Sequence, residues 1–214
     1  MDFATFVLAQ LPPPPARVLE VGCGDKGGVV DALAAAGYDV LGIDPDAPDG
    51  PRFRRIRLEE LEEPDSFDAA VASRVLHHVH PLGEGLDKLA RLAPMLLVDE
   101  FAYERIDEPT RDWYESQYRL LAAAGVAPSG PPDLAEWRRR HPDIHSSDLV
   151  LSELRARFDE RHCERRPYLY RWLDGPVSEQ LEETLIRAGA IQAIGFRYAG
   201  VARTETTRSS ARSR

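Results

Sequence analysis

The stretch RVLEVGCGDKGG, residues 17–28, sets the strongest limit on what this chain can fold into. Its apolar first half reads as a buried strand, and four glycines follow within seven positions. A strand that runs straight into such a turn brings bare backbone to a sheet edge, where a ligand can approach closely. The next apolar run, YDVLGID (38–44), ends in Asp44, roughly 20 residues beyond the turn, where an acid can take two ribose hydroxyls.

Apolar runs and helix-period segments alternate from there on, the pattern of an α/β sheet. GGVVDALAAAG (27–37) predicts a helix that buries Val29, Val30, Leu33 and Ala34 and stops at Gly37. Further strands are expected at 52–58 (a weak one), 67–73, 95–101 and 158–164, with a last at 190–202 broken at Gly195. Helices are expected at 83–93, from a Ser146 or Ser147 cap through Arg157, and at 178–189. Residues 107–145 hold two helix-like pieces joined by VAPSGPP, and neither can bury a core alone. They predict a helical insertion at 102–145, a polar lid, within one domain spanning 1–203. The tail RTETTRSSARSR has little to bury, so 204–214 is expected to be disordered.

Charge narrows the partners. The formal net charge is −9, and from Arg203 onward four arginines face one glutamate. The remainder, at about −12, repels phosphate backbones, which argues against nucleic acid and favours a neutral or cationic small molecule. No apolar run approaches the ~20 residues of a membrane span, and MDFATFVLAQLPPPP is too short and too acidic for a signal peptide. Cys23 and Cys163 make no disulfide framework, which predicts a cytoplasmic protein.

VLEVGCG, the helix after it and VLGIDPD resemble the class I S-adenosylmethionine-dependent methyltransferase family, over roughly residues 15–101 and the closing strands. SFDAAVASRVLHHVH (66–80) is similar to that family's fourth-strand motif, with its FD start and LHH end. Glu20, two places before Gly22, fits the family pattern E/D-x-G-x-G. The resemblance implies a doubly wound, mostly parallel seven-stranded Rossmann-like sheet, S-adenosyl-L-methionine as cofactor, and methylation of an O, N or C atom of a small-molecule acceptor. It also implies site residues. Gly22, Cys23, Gly24 and Gly27 would wrap the amino-acid end of the cofactor, which Glu20 orients. Asp44 and Pro45 would meet the ribose, Glu59 (or Glu60) the adenine, and Ser73 and Arg74 would flank the cofactor. The family's third glycine would fall at Lys26 and stands instead at Gly27, which predicts a turn longer by one residue with Lys26 facing solvent.

GCGDKG also matches G-x-G-x-x-G, so a nicotinamide-dependent oxidoreductase remains an alternative, as does a cofactor-binding protein without catalysis. Transfer from a sulfonium depends mostly on placement, and a base matters only where the acceptor must lose a proton. His77, His78 and Glu100 are the catalytic candidates, since they follow or end strands at the ligand-binding edge. Adjacent histidines point opposite ways, so one of the two is expected to face the site. One of Asp99 and Glu100 is expected to face the acceptor, or else to pair with Arg105. HPDIH offers His141, Asp143 and His145, but Pro142 prevents a convergent helical face and no metal is expected. Trp113, Tyr114, Tyr118 and Trp137 are expected in the core.

Overall fold

The computed structural model describes residues 2–62 and 66–203; the tail expected to be disordered, 204–214, lies outside them. The chain opens with helix α1, Phe3–Gln10, which the sequence pattern does not signal. Asp2 caps it by accepting the Thr5 N–H at 2.8 Å. Strands β1, Arg17–Val21, and β2, Asp39–Ile43, pair in parallel with Val18 opposite Val40 and Val21 opposite Ile43. Helix α2 between them covers only Val30–Ala35 of the predicted 27–37. Gly27 and Gly28 hold φ of +78° and +56°, a left-handed backbone that cannot belong to an α-helix.

Strand β3 is Phe53–Arg54, two residues of the predicted 52–58. The chain leaves the sheet there for a 3-10 turn at Leu58–Glu60, fixed by the Arg57 N–H donating to Glu60 Oε2 at 2.7 Å. Strand β4, Ala69–Ser73, is wholly buried and runs into a 3-10 turn at Leu76–His78. Then come α3 (Leu82–Leu92), β5 (Met95–Phe101), α4 (Glu108–Ala123) and α5 (Leu134–Arg140). The remainder is α6 (Ser147–Arg157), β6 (Phe158–Arg166), a 3-10 turn at Leu169–Trp172, α7 (Pro176–Arg187) and β7 (Gly195–Ala202). The last strand starts five residues later than the predicted 190. Arg105 takes the Ala193 carbonyl and the Gln192 side chain, which holds that segment in a loop.

The seven strands form one sheet in the order β3-β2-β1-β4-β5-β7-β6. The chain winds outward from β1 to β3 and then returns to β4, so the topology switches between β1 and β4, where open α/β sheets bind ligands. Strand β7 runs antiparallel to β5: Ala102 donates to the Ile194 carbonyl at one end, and Ala202 donates to the Pro94 carbonyl at the other. Among the described residues no helix is long and apolar enough to cross a membrane.

The chain divides into two compact units: the described residues of 1–100, 148–163 and 197–214, and those of 101–147 and 164–196. In the first, Val18, Val40, Val71, Leu97 and Ala199 form one sheet face packed with Phe6 and Val7 of α1 and Val30 and Leu33 of α2. Each large aliphatic buried there contributes about 1.5–3 kcal/mol relative to exposure. Asp99 and Arg197 form a buried ion pair, 3.3 Å apart. In the second unit Phe101 stacks on Tyr168 at 4.5 Å and meets Trp137 and Trp172 edge-on, so the aromatic segments expected in the core do build one. Fully buried Glu182 accepts the N–H groups of Tyr168, Leu169 and Tyr170 at 2.7–3.1 Å, and burial pushes its carboxyl up to about 6.

Candidate active site

The candidate site is built at the carboxyl ends of β1, β2 and β4, all in the first unit. Gly22 leaves β1 at φ +82°, and its N–H donates to the Ile43 carbonyl at 2.9 Å. A Cβ there would lie 2.6 Å from Val75 Cβ and 2.9 Å from the Ser73 carbonyl, so the turn fits between β2 and β4 only as glycine. Gly24, at φ +62°, is different: a Cβ there would meet nothing within 4 Å, which leaves its backbone open to a ligand. Asp25 and Lys26 are exposed, as expected of Lys26. Gly27 packs against the Phe53 ring.

Glu20 lies fully buried beneath this turn. Its Oε2 accepts the Val29 N–H at 2.8 Å, and its Oε1 accepts the Ser73 hydroxyl at 2.6 Å. Burial pushes its carboxyl up to about 7, against the pull of those two bonds and of the Arg74 charge. The Val29 N–H, ahead of α2, is therefore already taken. Cys23 is buried too, and desolvation pushes its thiol up to about 12, which leaves it unreactive. Ser73 is buried at the end of β4, while Arg74 after it is exposed. Arg74 holds φ +54°, a conformation arginine rarely adopts, and its N–H donates to the Asp99 carbonyl at 2.7 Å. That strain sits at the topological switch, where a costly backbone conformation commonly serves a site.

A cavity of about 370 Å³ opens beside the turn. Val21, Ile43, Ile56, Leu58, Val75 and Val79 give it aliphatic walls, and Asp44, Arg57, Glu59 and His78 give it charge and hydrogen-bonding capacity. Gly22 and Pro45 complete the lining. Asp44 is half-buried at the tip of β2, with Oδ1 accepting the Asp46 N–H at 2.8 Å, a bond that fixes the carboxylate. Glu59 is exposed on the 3-10 turn, and its carbonyl accepts from Lys88 Nζ at 2.9 Å. Gly24 lines a second, more open depression that shares Asp44 and Pro45 with the first. Of the residues named from the sequence, the structure brings Gly22, Asp44, Pro45, Glu59 and His78 to one cavity, while Glu20, Cys23 and Ser73 are buried. Sequence missed Arg57, whose only signal was its place two positions before Glu59.

One of the two histidines faces the cavity, as expected, but strand alternation does not set this: both lie in the 3-10 turn, and their rings stay in contact instead of pointing opposite ways. His77 is buried with Nδ1 2.5 Å from Glu100 Oε1, and its backbone N–H donates to Glu100 Oε2 at 3.3 Å. His78 is exposed and lines the cavity, its ring centre 4.1 Å from that of His77. Removing the imidazole with His77→Ala is expected to cost about 2 kcal/mol, because Glu100 would lose a buried charge-assisted bond. Urea unfolding of His77→Ala, alone and combined with Glu100→Gln, checks this; the double variant should recover part of the loss. Asp99 pairs with Arg197, and Glu100 with His77, so neither takes the anticipated bridge to Arg105. His141 bonds the Trp137 carbonyl through Nδ1 at 2.8 Å and stacks on the Trp137 ring. Among the described residues no group of three or more His, Cys, Asp or Glu could hold a metal ion.

Residues 2–163 match a family model described as "Methyltransferase domain". No curated protein matches the chain. Among solved structures, it is similar to an S-adenosylmethionine dependent methyltransferase from Mesorhizobium loti, at 18% identity over 93% of this chain and 96% of that one, with a TM-score of 0.56. It is also similar to geranyl diphosphate C-methyltransferase from Streptomyces coelicolor A3(2), at 14% identity over 94% and 78% of the two chains, with a TM-score of 0.55. A third is magnesium protoporphyrin IX methyltransferase from Synechocystis PCC 6803, crystallised with bound SAM, at 16% identity over 94% and 76%, with a TM-score of 0.52.

Proposed function

The chain belongs to the methyltransferase-domain family, and from that premise we propose that it moves a methyl group from S-adenosyl-L-methionine to a small-molecule acceptor. The observation that carries this reading is the cavity of about 370 Å³ between the glycine turn, Asp44 and the 57–60 turn. Its size lies within the range of small-molecule sites, ~300–1,000 Å³. Aliphatic walls suit a flat heteroaromatic ring, the fixed Asp44 carboxylate suits a pair of hydroxyls, and the open face at Gly24 lets a ligand lie against backbone. In this reading Gly22, Gly24 and Gly27 form the turn around the amino-acid end, Asp44 and Pro45 hold the ribose, and Glu59 meets the adenine amine.

The cofactor supplies a methyl group on a positively charged sulfur that departs as a neutral sulfide. The chain's share is to hold the two reactants in line and exclude other geometries, which can account for most of the acceleration. Arg74, strained and exposed at the switch point, borders the amino-acid end. For an acceptor that has a proton to lose, His78 is the base on the cavity wall, and the buried Glu100–His77 pair lies directly behind it. The net charge of −9 favours a neutral or cationic acceptor. Two of the similar structures are named for small-molecule substrates, magnesium protoporphyrin IX and geranyl diphosphate, which supports a small acceptor here.

Calorimetric titration with S-adenosylhomocysteine tests the premise. The wild type is expected to bind it, and Asp44→Ala to weaken binding about 30-fold, with an unchanged melting temperature, through loss of charge-assisted bonds to two hydroxyls. Equal affinity in both proteins would overturn the assignment of Asp44. Tight binding of a nicotinamide dinucleotide, with none of S-adenosylhomocysteine, would replace methyl transfer by hydride transfer.

A further inference from the structure

We propose that Arg57 reads the base of the nucleoside, its guanidinium donating to the ring-nitrogen acceptors of a purine held in the cavity; this rests on the cavity being the cofactor site. Arg57 stands where β3 gives way to the 3-10 turn, and its backbone is fixed by the N–H bond to Glu60 Oε2 at 2.7 Å. Two residues on, Lys88 holds the Glu59 carbonyl at 2.9 Å. The turn is thus tied at two points, and the root of the Arg57 side chain is set.

Arg57 lines the same cavity as Asp44 and Glu59. Yet its guanidinium makes no hydrogen bond or ion pair with either, or with any other described residue. Arg55, two residues earlier and exposed like Arg57, is engaged: it bonds the Ala47 carbonyl at 2.7 Å and pairs with Asp49 at 3.1 Å. A permanently charged group with five N–H donors, sharing a cavity with two carboxylates and engaged by neither, is available to a ligand.

The ligand's chemistry follows from the donors and acceptors present. Adenine offers one exocyclic donor and several ring acceptors, and Glu59 and Arg57 supply one acceptor group and one donor group on the same short turn. Ile56 and Leu58, either side of Arg57, also line the cavity and supply apolar contact for the ring face. Two acids against one permanent cation leave the cavity with an excess of negative charge, which favours an unphosphorylated nucleoside over a phosphorylated one.

The test is equilibrium binding of S-adenosylhomocysteine, adenosine and adenosine 2′-monophosphate to wild type, Arg57→Ala and Arg57→Lys, with thermal melting to confirm folding. Arg57→Ala is expected to weaken S-adenosylhomocysteine and adenosine alike by about tenfold, as for loss of one charge-assisted contact. Arg57→Lys should recover part of that loss, since it keeps the charge and loses the fork. Unchanged binding of S-adenosylhomocysteine by a folded Arg57→Ala protein overturns the proposal. So does a loss confined to S-adenosylhomocysteine, which would put Arg57 at the amino-acid end. Tighter binding of the 2′-monophosphate than of adenosine, abolished by Arg57→Ala, would make Arg57 a phosphate receptor and overturn it as well. Wild type that binds none of the three removes the methyl-transfer reading itself, and this proposal with it.

Discussion

Gly22→Ala is expected to destabilise the protein by about 4 kcal/mol and to weaken S-adenosylhomocysteine binding roughly a hundredfold or more. Two costs add. An alanine at φ +82° pays about 1–2 kcal/mol for the left-handed backbone. The new methyl would also stand 2.6 Å from Val75 Cβ and 2.9 Å from the Ser73 carbonyl, atoms that cannot swing aside. Relief requires the ends of β1 and β4 to separate, which moves the cavity wall and the seat of Arg74 together. Gly24→Ala is the control: its backbone is also left-handed, but its methyl would enter open space. It should fold with a loss of about 1 kcal/mol. Urea unfolding of both variants decides the matter, and equal loss of stability in the two would refute the packing argument.

The second large effect is on pH dependence. The Glu20 carboxyl is raised from its ordinary 4.5 to about 7, by burial above all. Between those values the native protein keeps a proton that the unfolded chain has released. Stability contributed at this site is therefore fully present below about pH 4.5 and is lost as pH rises to about 7, a change of ~3 kcal/mol. Glu20→Gln has no proton to lose there. The stability difference between wild type and Glu20→Gln should move by that amount between pH 4.5 and 7.5, with wild type relatively stronger at the acid end. Glu182, raised to about 6, acts with the same sign in both proteins and cancels in the difference. A difference that stays flat with pH would mean that Glu20 is ionised throughout. A cationic ligand near Glu20 would favour the ionised form, so binding near pH 7 should release protons, which calorimetry in buffers of different ionisation enthalpy would register.

What could be read from the residues depended on how local the deciding forces are. Strands β1, β2, β4 and β5 were legible because each is a largely apolar run, as a strand buried on both faces tends to be. Asp44 was legible because it directly follows β2, and a strand end fixes where its next residue points. The short β3 was not: Phe53, Arg54, Arg55 and Ile56 alternate as a strand should, but Arg57 and Glu60 close a turn that only their own bond reveals. Helix α2 began late because Gly27 and Gly28 obey the sheet edge and Glu20 rather than helix propensity. The partners of Asp99, Glu100 and Glu182 were invisible for a different reason. Each bond spans 12 to 98 positions of sequence, and no pattern of neighbours encodes that.

Among the described residues, strand β7 is the last strand to be synthesised, yet its place is between β5 and β6. Until residues 195–202 emerge, the two strands that will flank it keep unsatisfied edges, open to any passing strand. A message cut short upstream of that point would therefore yield a sticky remnant rather than a smaller working protein. The growing chain is most vulnerable to clumping while β5 and β6 wait for that strand.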